Sequence, residues 1–353
     1  MKKLTIILLT ATLFAGCKKD ENKIAESENG KTQTAEVENG EEDGQLAAAD
    51  ETAFSDTDSA LKKNEDESYT FRYNLKNGET YPFKLVVNSN QSLTSNGKTI
   101  KVHSSRTVIF DYRVEKVQNN QFTINATFKK FAESSDSPMG QLSYDTDKAK
   151  PADKEVSISW SIYKAITGQN FNMVMNNKGK VISVTGLDKI IANVMTKIKG
   201  DFNAEEQKQI KELLDYSLSK ESITSQFEES LNIFPDKSMK VGEKWEDTQN
   251  ISEGPIKGQN RVTRTFKEIK DGKAIIVVDG VQEVSGTNVE PNSGITAAMK
   301  NKATTNGQVD LDYETGWIKS GKITKTESVN TTYSKGEQKE TETGTQTIVT
   351  TVN

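Results

Sequence analysis

Residues 106–125 read RTVIFDYRVEKVQNNQFTIN, and the fold class turns on them. Val108, Phe110, Tyr112 and Val114 fall on every second position, and Phe122 and Ile124, followed by Ala126 and Phe128, resume the same beat. A period of two is the signature of antiparallel strands with one buried and one wet face. Between the runs stands Gln118-Asn119-Asn120-Gln121, two asparagines where a tight hairpin needs residues that tolerate positive φ.

Outward from this hairpin the rhythm continues. In SYTFRYNLK, residues 68–76, Tyr69, Phe71, Tyr73 and Leu75 share a face, and LKNGE at 75–79 supplies a turn. Val156, Ile158, Trp160 and Ile162 alternate with Ser157, Ser159 and Ser161, which predicts another strand, and NNKG at 176–179 predicts another hairpin. Residues 186–234 change period. Leu187, Ile190, Ile191, Val194, Met195 and Ile198 have helical spacing, and Gly200 ends the run. Asn203 with Glu206 makes a capping box for a second helix, and a third piece near 221–232 stops at Phe234-Pro235. Strand patterns then return. The threonine-rich end predicts two long strands around Lys335-Gly336-Glu337-Gln338, a solvated hairpin at a sheet edge.

The β segments also echo one another. NGETYPF at 77–83 matches VGEKWED at 241–247, each a Gly-Glu-x-aromatic strand start. The hairpin at 106–125 matches RVTRTFKEIKDGKAIIVV at 261–278, and NFNMVMNNKGKVISVTG at 170–186 matches NGQVDLDYETGWIKSGK at 306–322, in the same order. The expectation is a mainly β (α+β) protein: antiparallel curved sheets, or a barrel, from a duplicated β unit with a helical insertion between the halves. The divisions are 1–16 leader, 17–67 tether, 68–187 first β unit, 188–234 helical insertion and 235–353 second β unit.

Charge separates the tether from the body. The chain carries a net −5, yet residues 18–67 hold 16 acids against six lysines and residues 68–353 hold 35 acids against 38 bases. A stretch so acidic and poor in apolar residues predicts a disordered linker. The near-neutral body has no basic patch with interleaved aromatics, which argues against nucleic acid.

At the N-terminus Lys2 and Lys3 precede an apolar run from Leu4 to Ala15, too short to span a bilayer and suited to a signal peptide. It ends Leu13-Phe14-Ala15-Gly16-Cys17, with the chain's one cysteine last. This resembles the lipobox of bacterial lipoproteins, which implies cleavage before Cys17 and acylation there, although Phe14 stands where that family prefers leucine. Lys18, Lys19, Asp20 and Glu21 resemble the export signal that sends Bacteroidetes lipoproteins to the cell surface, with a periplasm-facing anchor as the alternative. Asp58-Ser59-Ala60 resembles the short O-glycosylation site of the same bacteria.

Motifs for chemistry do not assemble. GWIKSGKI at 316–323 has the glycines and lysine of a phosphate loop, but Ile323 replaces the metal-binding Ser or Thr and both flanks are strand-like. Asp310, Asp312 and Glu314 read as the wet face of a strand, and Asp145, Asp147 and Asp153 lack the glycine and distant glutamate of a calcium loop. His103 is the single histidine, so neither a histidine triad nor a tetrahedral zinc site has its ligands. Ser161 and Lys164 have serine–lysine spacing, but on a strand they would face opposite ways. A non-catalytic protein with no cofactor and no metal is expected. Tyr73, Tyr112, Trp160, Trp245 and Trp317 are candidates to line a cavity for a small apolar or glycan ligand.

Taken with the lipobox, acidic tether, paired strand starts and NNKGKVISVTG segment, the whole chain resembles the flavobacterial and Bacteroidetes outer-membrane lipoproteins whose body is a domain of unknown function. The resemblance implies membrane attachment through an N-terminal lipid anchor and no assigned activity. Two classes stay open: a binding or carrier module, or a structural, protein-interaction lipoprotein displayed on the cell surface.

Overall fold

The computed structural model describes residues 59–138, 140–289 and 294–353. The leader, Cys17 and the signal Lys18, Lys19, Asp20 and Glu21 lie outside the described residues. In chain order the elements are β1 Leu61–Lys63, β2 Tyr69–Phe71, β3 Thr80–Ser95, β4 Lys98–Gln118, β5 Gln121–Ser137, β6 Gly140–Asp145, α1 Lys154–Ile166, β7 Asn170–Asn176 and β8 Val181–Thr185. They continue as α2 Leu187–Ile198, α3 Ala204–Ser217, α4 Lys220–Leu231, β9 Lys244–Glu253, β10 Ile256–Lys270, β11 Lys273–Val289, β12 Thr296–Asp312, β13 Ile318–Lys335 and β14 Gln338–Val352.

The hairpin of residues 106–125 forms as its alternation demands: β4 and β5 pair antiparallel around Asn119 and Asn120, both at positive φ (51° and 57°). Twelve strands join one antiparallel sheet in the order β8-β7-β5-β4-β3-β14-β13-β12-β11-β10-β9, with β6 on the outer part of β5. The sheet is not closed into a barrel, and it is one sheet rather than two. The C-terminal hairpin turns at Gly336 as expected, but β14 is not at an edge. It lies mid-sheet, pairing β13 on one side and β3 on the other, so it joins the two halves. Its threonines suit either place, since β-branched polar residues fit any half-buried pleat.

Two of the sequence expectations change. Residues 154–166 are helix α1, not a strand: Asp153 caps it through the Val156 N–H (2.9 Å), and Ile158, Ile162, Ala165 and Ile166 bury one helical side. The serine alternation fits a period of two by coincidence, while caps and packing decide for 3.6. Ser161 and Lys164 are therefore neighbours on one helical side, and the Lys164 amine donates to the Thr146 carbonyl (2.7 Å). The body also starts before residue 68. Ala60 and Leu61 are fully buried, and β1 pairs with β2 in a separate two-stranded sheet. Ser59 there donates to the Leu61 carbonyl.

The two halves repeat down to their hydrogen bonds. Gly78 N–H donates to Val114 O and Val114 N–H to Glu79 O (2.8 and 2.9 Å); Gly242 N–H donates to Phe266 O and Phe266 N–H to Glu243 O (2.6 and 3.0 Å). Beyond each pair the strand carries a bulge, between Val114 and Lys116 and between Phe266 and Glu268. The next turns are Asn119-Asn120 and Asp271-Gly272. The following turns are braced alike, by the side-chain oxygens of Asn176 and Asp312 accepting backbone N–H groups two to four residues on. In this correspondence β3, β4, β5, β7 and β8 match β9, β10, β11, β12 and the start of β13. The first unit departs at residues 146–169, where α1 interrupts the strand that β12 makes whole, leaving β6 and β7 as its two pieces.

The helices pack on the inner face of the first unit, where α4 meets β8, α2 meets β7 and α1 meets β5 and β6. Phe227 of α4 sits among Phe110, Tyr112 and Phe171, with centroids 6.0, 5.5 and 5.8 Å away. The N-terminal hairpin ties both units at one end, since Tyr73 N–H donates to Asn177 O and Ala60 N–H to Glu314 O. Among the described residues, no helix is long and apolar enough to cross a membrane.

Candidate functional site

Where the first unit carries four rings, the second carries none. By strand register Phe110, Tyr112, Phe128 and Phe171 correspond to Val262, Arg264, Gly280 and Gly307. A cavity of about 840 Å³ stands over this face. Its floor is Ile276 and Val278 of β11, Val309 of β12, Ile323 of β13, Val352 of β14 and Leu85 of β3. Residues of seven neighbouring strands, β3 to β9 across the sheet, line this single space. Laid flat, seven strands would span roughly 29 Å, so the sheet must wrap around it. Gly307 permits part of that bend: a Cβ there would lie 2.4 Å from the Lys322 carbonyl of the next strand.

The opposite wall is α4 and the segment after it. Ser225, Glu228, Glu229 and Asn232 line the cavity, at the i, i+3, i+4, i+7 spacing of one helical stripe. The other stripe of α4, Ile223, Phe227 and Leu231, is buried. One helix thus divides the first unit's solid core from the second unit's open space. Glu229 is half-buried and, among the described residues, accepts only a long hydrogen bond from Ser225 (3.5 Å); burial pushes its carboxyl up to about 7, with that hydroxyl opposing. Its neighbour Glu228 accepts from the Val181 N–H (3.1 Å).

At the β9 side, Trp245 and Arg264 are register partners, and the Arg264 guanidinium, largely covered, pairs with Asp247. The Trp245 indole N–H is buried with no acceptor among the described residues.

Of the five aromatic candidates, Trp245 lines the cavity and four do not. The Tyr73 hydroxyl donates to Leu231 O (2.8 Å), the Trp317 indole to Pro82 O (3.2 Å) and the Trp160 indole to Asp145 O (3.1 Å), while Tyr112 is buried core. Rings this large are consumed packing against one another, with Tyr112, Trp317, Phe83 and Phe110 forming a continuous chain of contacts. The floor is aliphatic instead. Glu229 was not singled out by the sequence, because a polar stripe opposite an apolar one reads as solvent-facing.

The acidic groups disperse into local roles. Asp145 and Asp147 both pair with Lys130 (3.0 and 2.9 Å), and Asp153 caps α1. Asp310 accepts from Ser320, and Asp312 braces its turn and pairs with Lys319 (3.2 Å). His103 is exposed against Asn90. The loop at 313–317 is the β12–β13 turn, so the glycines of GWIKSGKI open a strand. Among the described residues, no group of three or more His, Cys, Asp or Glu is placed to hold a metal ion.

Residues 119–318 match the profile of a family of unknown function, DUF6263. The chain belongs to that family. The match begins in the β4–β5 turn and ends at the start of β13, so it takes in the helices and half of the cavity floor. No curated protein matches the chain. Among solved structures, one of lipid–protein interactions in lipovitellin is similar at TM-score 0.35 and 10% identity, over 77% of this chain and 25% of that one. The chain thus spans a quarter of that lipovitellin chain. Pseudomonas aeruginosa OccK5 (OpdH) is similar at TM-score 0.23 and 7% identity, over 78% and 98% of the two chains. A loop-deletion mutant of OmpT, an outer membrane protein of Vibrio cholerae, is similar at TM-score 0.19 and 6% identity, over 78% and 100%. Likeness at this level carries no functional information.

Proposed function

We propose that this chain is a non-catalytic binding lipoprotein, anchored to the outer membrane through Cys17 and displayed at the cell surface, that holds an apolar molecule between the second β unit and α4. The single observation behind this reading is the cavity of about 840 Å³ with an aliphatic floor. Ligand sites are typically concave spaces of roughly 300–1,000 Å³, mostly apolar with a few polar groups, and this one has that size and make-up. An apolar occupant is favoured over a glycan because sugars stack on exposed ring faces, and most of the chain's rings are spent in the core. The open indole N–H of Trp245 adds a donor for an oxygen on the occupant. The lipobox and the charges behind Cys17 support the anchor.

The test is native mass spectrometry of the full chain carrying Cys17→Ala, made without lipid attachment, purified without detergent and incubated with a total lipid extract. A one-to-one adduct that vanishes on denaturation supports the reading. A bare mass throughout overturns it.

A further inference from the structure

The cavity is asymmetric, with a hydrocarbon floor on β3 and β11 to β14 and carboxylates along β9 and on α4 and the segment after it. Of the acids that line it, Asp247 is held by Arg264, and Glu246 receives Arg261 (3.5 Å) and Thr248 (3.1 Å). Glu228 is engaged by a backbone N–H, and Asp236 is exposed. Glu229 differs from all of these: it is half-buried, its one hydrogen bond is weak, and no lysine, arginine or histidine pairs with it among the described residues. The cations in the lining do not compensate it. Arg264 is committed to Asp247, and Lys237 and Lys244 are exposed.

A desolvated carboxylate facing an apolar space is costly unless it takes up a proton or meets a cation. We propose that the ligand is a cationic amphiphile, a hydrocarbon chain ending in an amine, with the chain over Ile276, Val278, Val309 and Ile323 and the ammonium against Glu229. This rests on the binding reading above and names the chemical class that site takes. The ammonium of such a ligand donates to the carboxylate oxygens that Ser225 leaves open, and its chain covers the aliphatic floor, so both walls are satisfied by one molecule. The upward push on the Glu229 carboxyl fits the same geometry, since a cation arriving beside it would restore the ionised form.

The test uses the full Cys17→Ala chain at pH 8.5 and three probes. N-phenyl-1-naphthylamine, uncharged at this pH, reports occupancy of the apolar space by its fluorescence; dodecylamine and dodecanoate, of equal chain length, compete for it. Dodecylamine is expected to displace the probe at a concentration about tenfold or more below that of dodecanoate, equivalent to roughly 1.4 kcal/mol of discrimination. In Glu229→Gln the ratio, with each amphiphile referred to that variant's own probe affinity, is expected to fall to about threefold or less. Equal displacement by the two amphiphiles in the unsubstituted chain, or a preference that survives Glu229→Gln, overturns the assignment while leaving the cavity reading in place. Failure of all three to bind overturns the cavity reading itself.

Discussion

Glu229→Gln also makes a prediction about folding that needs no ligand. The Glu229 carboxyl is pushed up to about 7 from 4.5 because burial penalises the charged form. The folded state therefore holds a proton there that the unfolded state has already released, throughout the window between those values. Stability falls as pH rises wherever the folded state binds more protons. The wild-type chain should thus lose stability from about pH 4.5 to about pH 7 through this group, and no further above it. At about 1.36 kcal/mol per tenfold change in proton affinity, the full gap sets a ceiling near 3 kcal/mol. Part of the carboxyl still meets water, which reduces the expected penalty to about 1–2 kcal/mol. Glutamine keeps the shape and cannot ionise. The two proteins should match at pH 4, and at pH 8.5 the variant should melt about 2–6 °C higher. Thermal melts of both chains across that range decide it. Parallel profiles, or a variant that melts lower at pH 8.5, would show that the carboxylate is solvated or paired and would refute the reasoning.

Three further perturbations test the architecture. Val278→Phe restores a ring near the place that Phe128 and Phe171 fill in the first unit; if the space is real, it should change stability by less than about 1.5 kcal/mol, where overpacking a closed core costs about 1–3, and it should abolish N-phenyl-1-naphthylamine fluorescence. Gly179→Ala should destabilise by about 2 kcal/mol or more in urea unfolding, because Gly179 has φ +89° and an added Cβ would lie 2.1 Å from the Leu231 carbonyl. Arg106→Met removes the guanidinium that donates to the Tyr163 hydroxyl (2.8 Å) beside Glu133 and Tyr144, and should cost about 3 kcal/mol; a loss below about 1 kcal/mol would mean the cluster is wet.

Local signals carried much of this fold, and pairing did not. The capping box Asn203–Glu206, the Asn119-Asn120 turn and the repeated Gly-Glu strand starts were legible because each is a short-range demand on backbone geometry. The Val156–Ile162 stretch misled because a seven-residue run of alternating serine satisfies both periods at once, and the arbiter, Asp153, is a single residue. The place of β14 was illegible for a different reason: its partner β3 lies some 250 residues away in sequence, and a threonine-rich strand pairs as well in mid-sheet as at an edge. Reading aromatics as the cavity lining failed because rings are the first residues a core recruits. The space is found instead where rings are missing.

That absence bears on function. A second copy of the β unit free to optimise stability would place a large side chain at the position of Phe110, since a buried ring contributes about 1.5–3 kcal/mol. The chain has Val262 there instead, and the helix lying between the two copies presents Phe227 to the first and Glu229 to the second. A valine in the lining and an acid on the roof each forgo stability, and they do so around the same space. Two independent costs that converge on one cavity are difficult to explain as packing faults, because a fault in the lining gives no reason for a carboxylate in the roof. They are explained together if an occupant supplies the missing hydrocarbon and the missing charge.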